Sequence, residues 1–301
     1  MAEPAVPSPG IDFRSRLIID RYSSVLGRLP LRRQASLANP ASADAETWNV
    51  FRTLAQLDPA RWIPELMRLG RLRSVPAPRD LDGGVALTLW KKVRPPEERL
   101  RWLRRQAMKG QVRPVVGRKR KGRVIPLSDL LSELKERARD RMPLEEPVEV
   151  DVIVKCPHRV LFLEIPSSDE SPEEPAASDV TRTFLLRLVD AGLAYSRARA
   201  SSRRQEIGFS LLILARDPLT EKIWEAAIRG LTRSEARLRR SFPHRHGFDP
   251  AVLLGNVGIS SWASLRRVLS TLRSRSRDDF EVSLLDRLTR SDRPSASAAP
   301  R

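Results

Sequence analysis

The chain has 301 residues, 41% hydrophobic and 31% charged, which is enough for one large domain or two modest ones around a sizeable core. Lysine and arginine outnumber the acids by 55 to 37, and the resulting net charge of +18 favours a polyanionic partner, nucleic acid ahead of membrane. The single cysteine, Cys156, excludes an intrachain disulfide and a multi-cysteine zinc site, and no apolar run approaches the roughly 18 residues of a transmembrane helix.

Residues 1–10 are proline-rich and lack the basic-then-apolar order of a secretory signal, so the expectation is a cytoplasmic protein with a disordered start. Phe13, Leu17, Ile18, Val25 and Leu26 suggest a helix over 11–27, followed by a connector from Leu29 to Pro40. Ser42 or Asp44 can cap a stronger helix carrying Trp48, Phe51, Leu54 and Leu57 on one face, which Asp44 shares. Asp58-Pro59 stops that helix and a short one restarts. Gly83-Gly84 precede a strand over 85–90.

The composition then changes. Lys91 to Arg123 holds 14 basic residues against Glu97 and Glu98 alone. Residues 97–108 read as a helix with Leu100, Trp102 and Leu103. Trp102 can stack on a base, although packing is the commoner role for a tryptophan on a helix face. The run with Arg118, Lys119, Arg120, Lys121 and Arg123 reads as a loop between glycines, suited to phosphate contact. A solvated insertion or a localisation-type basic run is the alternative.

An amphipathic helix over 127–141 leads to the most informative stretch. Val148 to Val154 and Val160 to Ile165 are rich in β-branched and apolar residues around the break Cys156-Pro157-His158-Arg159, the pattern of a hairpin. With the turn centred on Pro157-His158, opposed residue numbers sum to 315, which sets Asp151 against Glu164. Carboxylates at about 5 Å Cβ separation repel, and a divalent cation would hold them together. Two partly exposed acids at a sheet edge are the alternative, since a one-residue slip would part them.

Acids and prolines over 166–179 read as a flexible acidic loop. A helix over 178–199, a doubly buried strand over 207–215, and helices over 221–240, from 260 and over 278–289 complete the chain, with a disordered tail from 291. His244-Arg245-His246 lacks the spacing of a helical zinc pair. A P-loop, a nucleophile elbow and a dinucleotide fingerprint are absent from the sequence.

Asp44 with Thr47-Trp48-Asn49-Val50-Phe51, Glu149-Val150-Asp151-Val152-Ile153, Leu161-Phe162-Leu163-Glu164, Asp190-Ala191-Gly192-Leu193-Ala194-Tyr195 and Ile259-Ser260-Ser261-Trp262 are similar to stretches of uncharacterised bacterial members of the PD-(D/E)XK, or restriction-endonuclease-like, superfamily. The resemblance spans roughly 42–272 in short motifs. It implies an α/β fold, a mixed β-sheet flanked by α-helices, over 41–290, with the basic stretch 91–123 and the acidic loop 166–179 as insertions and 1–40 and 291–301 as terminal segments. It further implies a Mg²⁺-dependent DNA endonuclease with Mg²⁺ on Asp151 and Glu164 and with Asp44, or failing it Glu46, completing the catalytic set. Arg118, Lys119, Arg120, Lys121 and Arg123 would meet nucleic acid, DNA first; no membrane partner is implied, and a homodimer is among the assemblies open to it.

One position departs from the family. The lysine that it places two residues past the second acid is here Pro166, which has neither charge nor donor. Lys155 lies four residues from Asp151, about 13 Å along a strand. Arg182 could swing toward the site. A catalytically degenerate protein that binds nucleic acid or a protein partner is therefore the second reading.

Overall fold

Strands β4 (Val148–Lys155) and β5 (Arg159–Glu164) form the expected hairpin in a computed structural model that describes residues 14, 17–39, 42–112, 119–120, 123–124, 126–173, 175–176, 179–203 and 206–290. Val152 pairs with Leu163, Ile153 with Phe162, Val154 with Leu161 and Lys155 with Val160, so every opposed pair sums to 315. The turn closes through Cys156 N–H donating to Arg159 O at 2.8 Å. Register is strongly specified here because a slip would turn the apolar set out of the core.

Strand β1 (Ala86–Val93) lies antiparallel beside β4, while β8 (Gly208–Ala215) and β9 (Val257–Ser261) add in parallel beyond β5, giving the order β1-β4-β5-β8-β9. The parallel pairs need crossovers, supplied by helix α6 (Phe184–Arg203) between β5 and β8 and by α7 (Pro218–Thr232) with α8 (Glu235–Ser241) between β8 and β9. From Phe209 to Ala215 every residue of β8 is buried, as its unbroken apolar run anticipates. The chain is thus a mixed α/β protein, its sheet flanked by helices.

Packing divides the chain into two compact units: residues up to Leu66 with those from Leu265 onward, and Met67–Ser264, which holds the sheet. The described part of the first unit contains helices α1 (Leu31–Ala38), α2 (Ala43–Leu54), most of α3 (Pro59–Leu69), most of α9 (Trp262–Arg275) and α10 (Asp279–Arg290). Ser42 caps α2 by accepting from Ala45 N–H at 3.0 Å. In the second unit α4 (Glu97–Met108) and α5 (Leu127–Arg139) make a satellite core around Leu103, Ala107, Leu130 and Leu134.

Several local expectations change. Residues 17–25 form turns, and a 3₁₀ helix of Leu26–Arg28 follows, because backbone groups of this stretch are drawn onto α2. The expected connector holds α1, whose Leu37 is buried. The basic run is not simply a loop: β2 (Lys119–Arg120) pairs with β3 (Arg123–Val124). Residues 175–183 contain β6 (Pro175–Ala176) and β7 (Asp179–Thr183), so α6 begins only at Phe184. The helix expected from 260 begins at Trp262, and residues 257–261 before it form β9. The expected disordered start and tail lie outside the described residues.

One side of the sheet unit is held by ions. Arg182, 3% exposed, bonds both Glu145 and Asp190. Glu145 also meets Arg99 at 3.3 Å and Arg187 at 3.7 Å, and Asp190 meets Arg245 at 2.5 Å and His244 Nε2 at 3.1 Å. Burial alone would raise the Asp190 carboxyl, but the hydrogen bond from His244 and the charges of Arg182 and Arg245 hold it well below the usual carboxylate range. Two residues along α6, Gly192 sits where an added Cβ would come within 2.0 Å of the Phe209 ring, so α6 can lie close on β8.

Asp190→Ala leaves Arg182 and Arg245 without their shared anion and is expected to cost about 3–5 kcal/mol in urea denaturation at neutral pH. Because the folded carboxyl is depressed, its contribution is complete above the unfolded value near pH 4 and fades as pH falls toward the folded value. The gap between wild type and variant should therefore narrow below about pH 4.

Candidate functional site

The register sets Asp151 and Glu164 at the end of the hairpin ladder, one position beyond the Val152–Leu163 pair. Asp151 is half-buried, and its Oδ2 accepts from the Ile165 backbone N–H at 2.8 Å. Glu164 is 4% exposed, and its buried Oε2 has no hydrogen-bond partner among the described residues. Burial raises the Glu164 carboxyl well above the ordinary range, and the negative charges of Asp151, Glu170 and Glu149 raise it further; the Asp151 backbone N–H acts the other way. Four carboxylates thus share one field, of which the sequence identifies two. Glu149 and Glu170 went unassigned because neither occupies the opposed position of the hairpin.

The backbone is unusual at the same place. The β1–β4 ladder keeps one register on both sides of Trp90 and Asp151, yet that pair drops out, and Trp90 has a left-handed φ of 49°. Such a conformation costs a bulky residue roughly 1–3 kcal/mol. Val148, Val150 and Ile153 all join one core cluster, whereas strict alternation would send Val150 and Ile153 to opposite faces. The strand changes its alternation at the candidate acid.

Neither Lys155 nor Arg182 takes the place of the missing lysine. Pro166 follows the site; Lys155 stands at the far end of β4, opposite Val160 and Ala86. Arg182 is committed to Glu145 and Asp190, so the swing toward the hairpin does not occur. On the next strand, Lys91 lies 5.3 Å from the centre of the Tyr195 ring, which in turn packs edge-on against Phe162.

Asp44 belongs to the other compact unit, in the first turn of α2, where Arg33 binds its carboxylate. Glu46 pairs with Arg266 at 2.6 Å in that same unit. Of the basic set, Lys119, Arg120 and Arg123 lie on the β2–β3 hairpin; Arg118 and Lys121 fall outside the described residues. Trp102 packs under Arg99, 4.9 Å from its ring centre, and beside His244 at 6.5 Å. Burial pushes the Cys156 thiol up to about 11, although Arg199 and Arg159 pull it down; a thiol protonated at neutral pH is no nucleophile.

As a metal site the acid end of the hairpin offers carboxylate oxygens, one of them buried and without a hydrogen-bond partner among the described residues. Such donors fit a small hard cation. Among the described residues no group of three or more His, Cys, Asp or Glu is placed to hold a metal by side chains alone. Mg²⁺ suits that limit, since it commonly takes one or two carboxylates and completes its shell with water and phosphate.

Comparisons with protein-family models, curated proteins and solved structures find no match to this chain. Among the described residues no helix is long and apolar enough to cross a membrane.

Without a cation, ionising Glu164 opposes folding. A raised folded pKa means that the protonated acid's contribution is present below the unfolded value and lost as pH rises through the folded one. With chelator present, Glu164→Gln should match wild type in acid and exceed it by about 1–3 kcal/mol at alkaline pH, read from thermal melts.

Proposed function

We propose that the chain is a divalent-cation-dependent phosphodiester hydrolase acting on DNA, built on a restriction-endonuclease-like core and working in the cytoplasm. The single observation that carries this reading is Glu164: a buried carboxylate with an unpartnered oxygen, beside Asp151 and in the field of two further acids. Buried charges are ordinarily paired, and perturbed carboxyls gather at functional sites.

Asp151 and Glu164 are the residues that would hold Mg²⁺. When bound, the ion supplies positive charge to the phosphoryl oxygens and activates the attacking water. The chain's own part is orientation and exclusion. Ile165 N–H fixes the Asp151 carboxylate, burial keeps solvent from Glu164, and Glu149 and Glu170 deepen the negative potential that draws a cation in. Glu164 must lose its proton to become a ligand, so cation affinity rises with pH until that proton is gone.

A second reading is favoured by Pro166 and by the commitment of Arg182: a nuclease-like protein that has lost chemistry and binds nucleic acid through its basic stretch. The β2–β3 hairpin and its flanks then carry the function.

Purified protein on plasmid and linear DNA with Mg²⁺ or Mn²⁺ separates the two. Hydrolysis should occur and should fall by at least about a hundredfold in Asp151→Ala and in Glu164→Ala. Mn²⁺ should also raise the melting temperature of wild type and leave Glu164→Gln unmoved. Cleavage by wild type and both variants alike would refute the hydrolase. Under the second reading cleavage is absent, yet DNA affinity falls steeply with salt, and neutralising Arg118, Lys119, Arg120, Lys121 and Arg123 flattens that dependence.

A further inference from the structure

A different surface, in the helical unit, has the chemistry of a ligand site and does not involve the hairpin acids. Residues 17–23 are fastened to α2 by three contacts. Ile18 N–H donates to Asn49 Oδ1 at 2.9 Å, Trp48 Nε1 donates to Ile19 O at 2.9 Å, and Arg52 binds the Asp20 carboxylate. Asp20 adopts a left-handed φ of 54°, which aspartate tolerates better than most residues. Ser23 N–H then donates back to Asp20 O at 3.0 Å, closing a turn with Arg21 and Tyr22 at its tip.

Tyr22 is 87% exposed on this anchored turn. Helix α10 of the same unit contributes Phe280, 61% exposed, together with Arg287 and the buried Leu284. These residues line a groove of about 540 Å³, floored by Ile18 and Leu284 and edged by Arg21 and Arg287. Aromatic residues make up only 5% of the chain, and Trp48, Trp62, Trp224, Phe51, Phe162 and Phe242 are fully buried, so two open rings on one groove are a departure from its own pattern.

Charge selects the occupant. Asp20, the carboxylate of the groove, is neutralised by Arg52, whereas neither Arg21 nor Arg287 meets a carboxylate among the described residues. The surface therefore offers two flat apolar faces and two cations on one groove. Single-stranded nucleic acid presents the complement, with bases that stack on any aromatic face and phosphates at regular spacing. A duplex keeps its bases stacked inward and would leave the rings bare. Anchoring the turn beforehand lowers the ordering cost of binding.

We propose that the groove between the Asp20–Ser23 turn and helix α10 binds single-stranded nucleic acid, stacking bases on Tyr22 and Phe280 and meeting phosphates with Arg21 and Arg287. This site stands or falls separately from the hairpin, because it needs no cation and no cleavage.

The test uses the full chain in EDTA with a fluorescein-labelled oligothymidylate, read by anisotropy, and an iodouracil-substituted copy for photo-cross-linking. Adducts should map to Tyr22 or Phe280. Tyr22→Ala with Phe280→Ala should weaken binding roughly tenfold or more, while Tyr22→Trp should retain it. Arg21→Ala with Arg287→Ala should lessen the slope of log affinity against log salt by about 1.4. All four side chains are exposed, and unchanged thermal melts confirm that the variants fold. Adducts elsewhere, wild-type affinity in the alanine pair, or loss in Tyr22→Trp equal to that in Tyr22→Ala would overturn the proposal. So would a groove whose alanine pair abolishes self-association in sedimentation while leaving oligonucleotide binding intact, since its occupant would then be a second copy of the chain.

Discussion

Asp190, on α6, has no exposed surface, and four other segments of the sheet unit join α6 through it and Glu145. Arg182 comes from β7, Arg99 from α4, His244 and Arg245 from the chain just past α8, and Glu145 from the lead-in to β4. Desolvating charges costs several kcal/mol per ion, recovered only where geometry and hydrogen bonds are good. Arginine suits that demand because its planar fork presents several donors at once. Where α6 lies on the sheet therefore follows from two needs met together: Asp190 must reach its cations, and Gly192 must let the Phe209 ring through.

The hairpin acid is the electrostatic opposite. Asp190 and Glu164 are both deeply buried carboxylates, yet one is held down by arginines and a histidine while the other is pushed up by fellow acids. Burial acts in the same direction on each, so the neighbours decide the sign. The first arrangement is self-sufficient and structural. The second meets no counter-charge among the described residues, and the backbone across from its neighbour Asp151 is left-handed at Trp90. A buried acid without a counter-charge among the described residues, beside local strain, is the feature on which the proposed function rests.

Much of the sheet was legible in advance. The sum of 315 placed the β4–β5 register correctly because a short turn and one apolar face leave few alternatives, and the doubly buried β8 announced itself by composition. The basic stretch was visible as charge, but its hairpin was not, since two-residue strands leave no period to read. Strand β7 falls inside the helix expected over 178–199: Val180, Thr181 and Thr183 favour a strand, but five residues running straight into a long apolar helix leave that preference too short to read, and pairing with β6 decides it. Strand β9, five residues with a glycine and two serines, has too little apolar pattern to read, and its last two residues fall in the helix expected from 260. The turns at 17–25 have helical spacing, yet their backbone groups bond to side chains of α2 instead.

By itself the sequence determined the order of the main elements, the β4–β5 register that sets Asp151 and Glu164 just past its last pair, and the absence of a lysine after them, while the mixed α/β sheet was what the family resemblance implied. The first three rest on local pattern and on arithmetic along one hairpin. Only the tertiary structure decided which charges are compensated. Arg182 looked able to swing toward the hairpin and is locked; Asp44, the expected helix acid, is paired with Arg33; Asp190, which opens one of the short motifs of the resemblance, is the hub of a buried ion cluster. Whether a charge is spent or free depends on partners tens of residues away, Arg182 with Glu145 across 37 positions and Asp190 with Arg245 across 55, and no local pattern encodes such meetings.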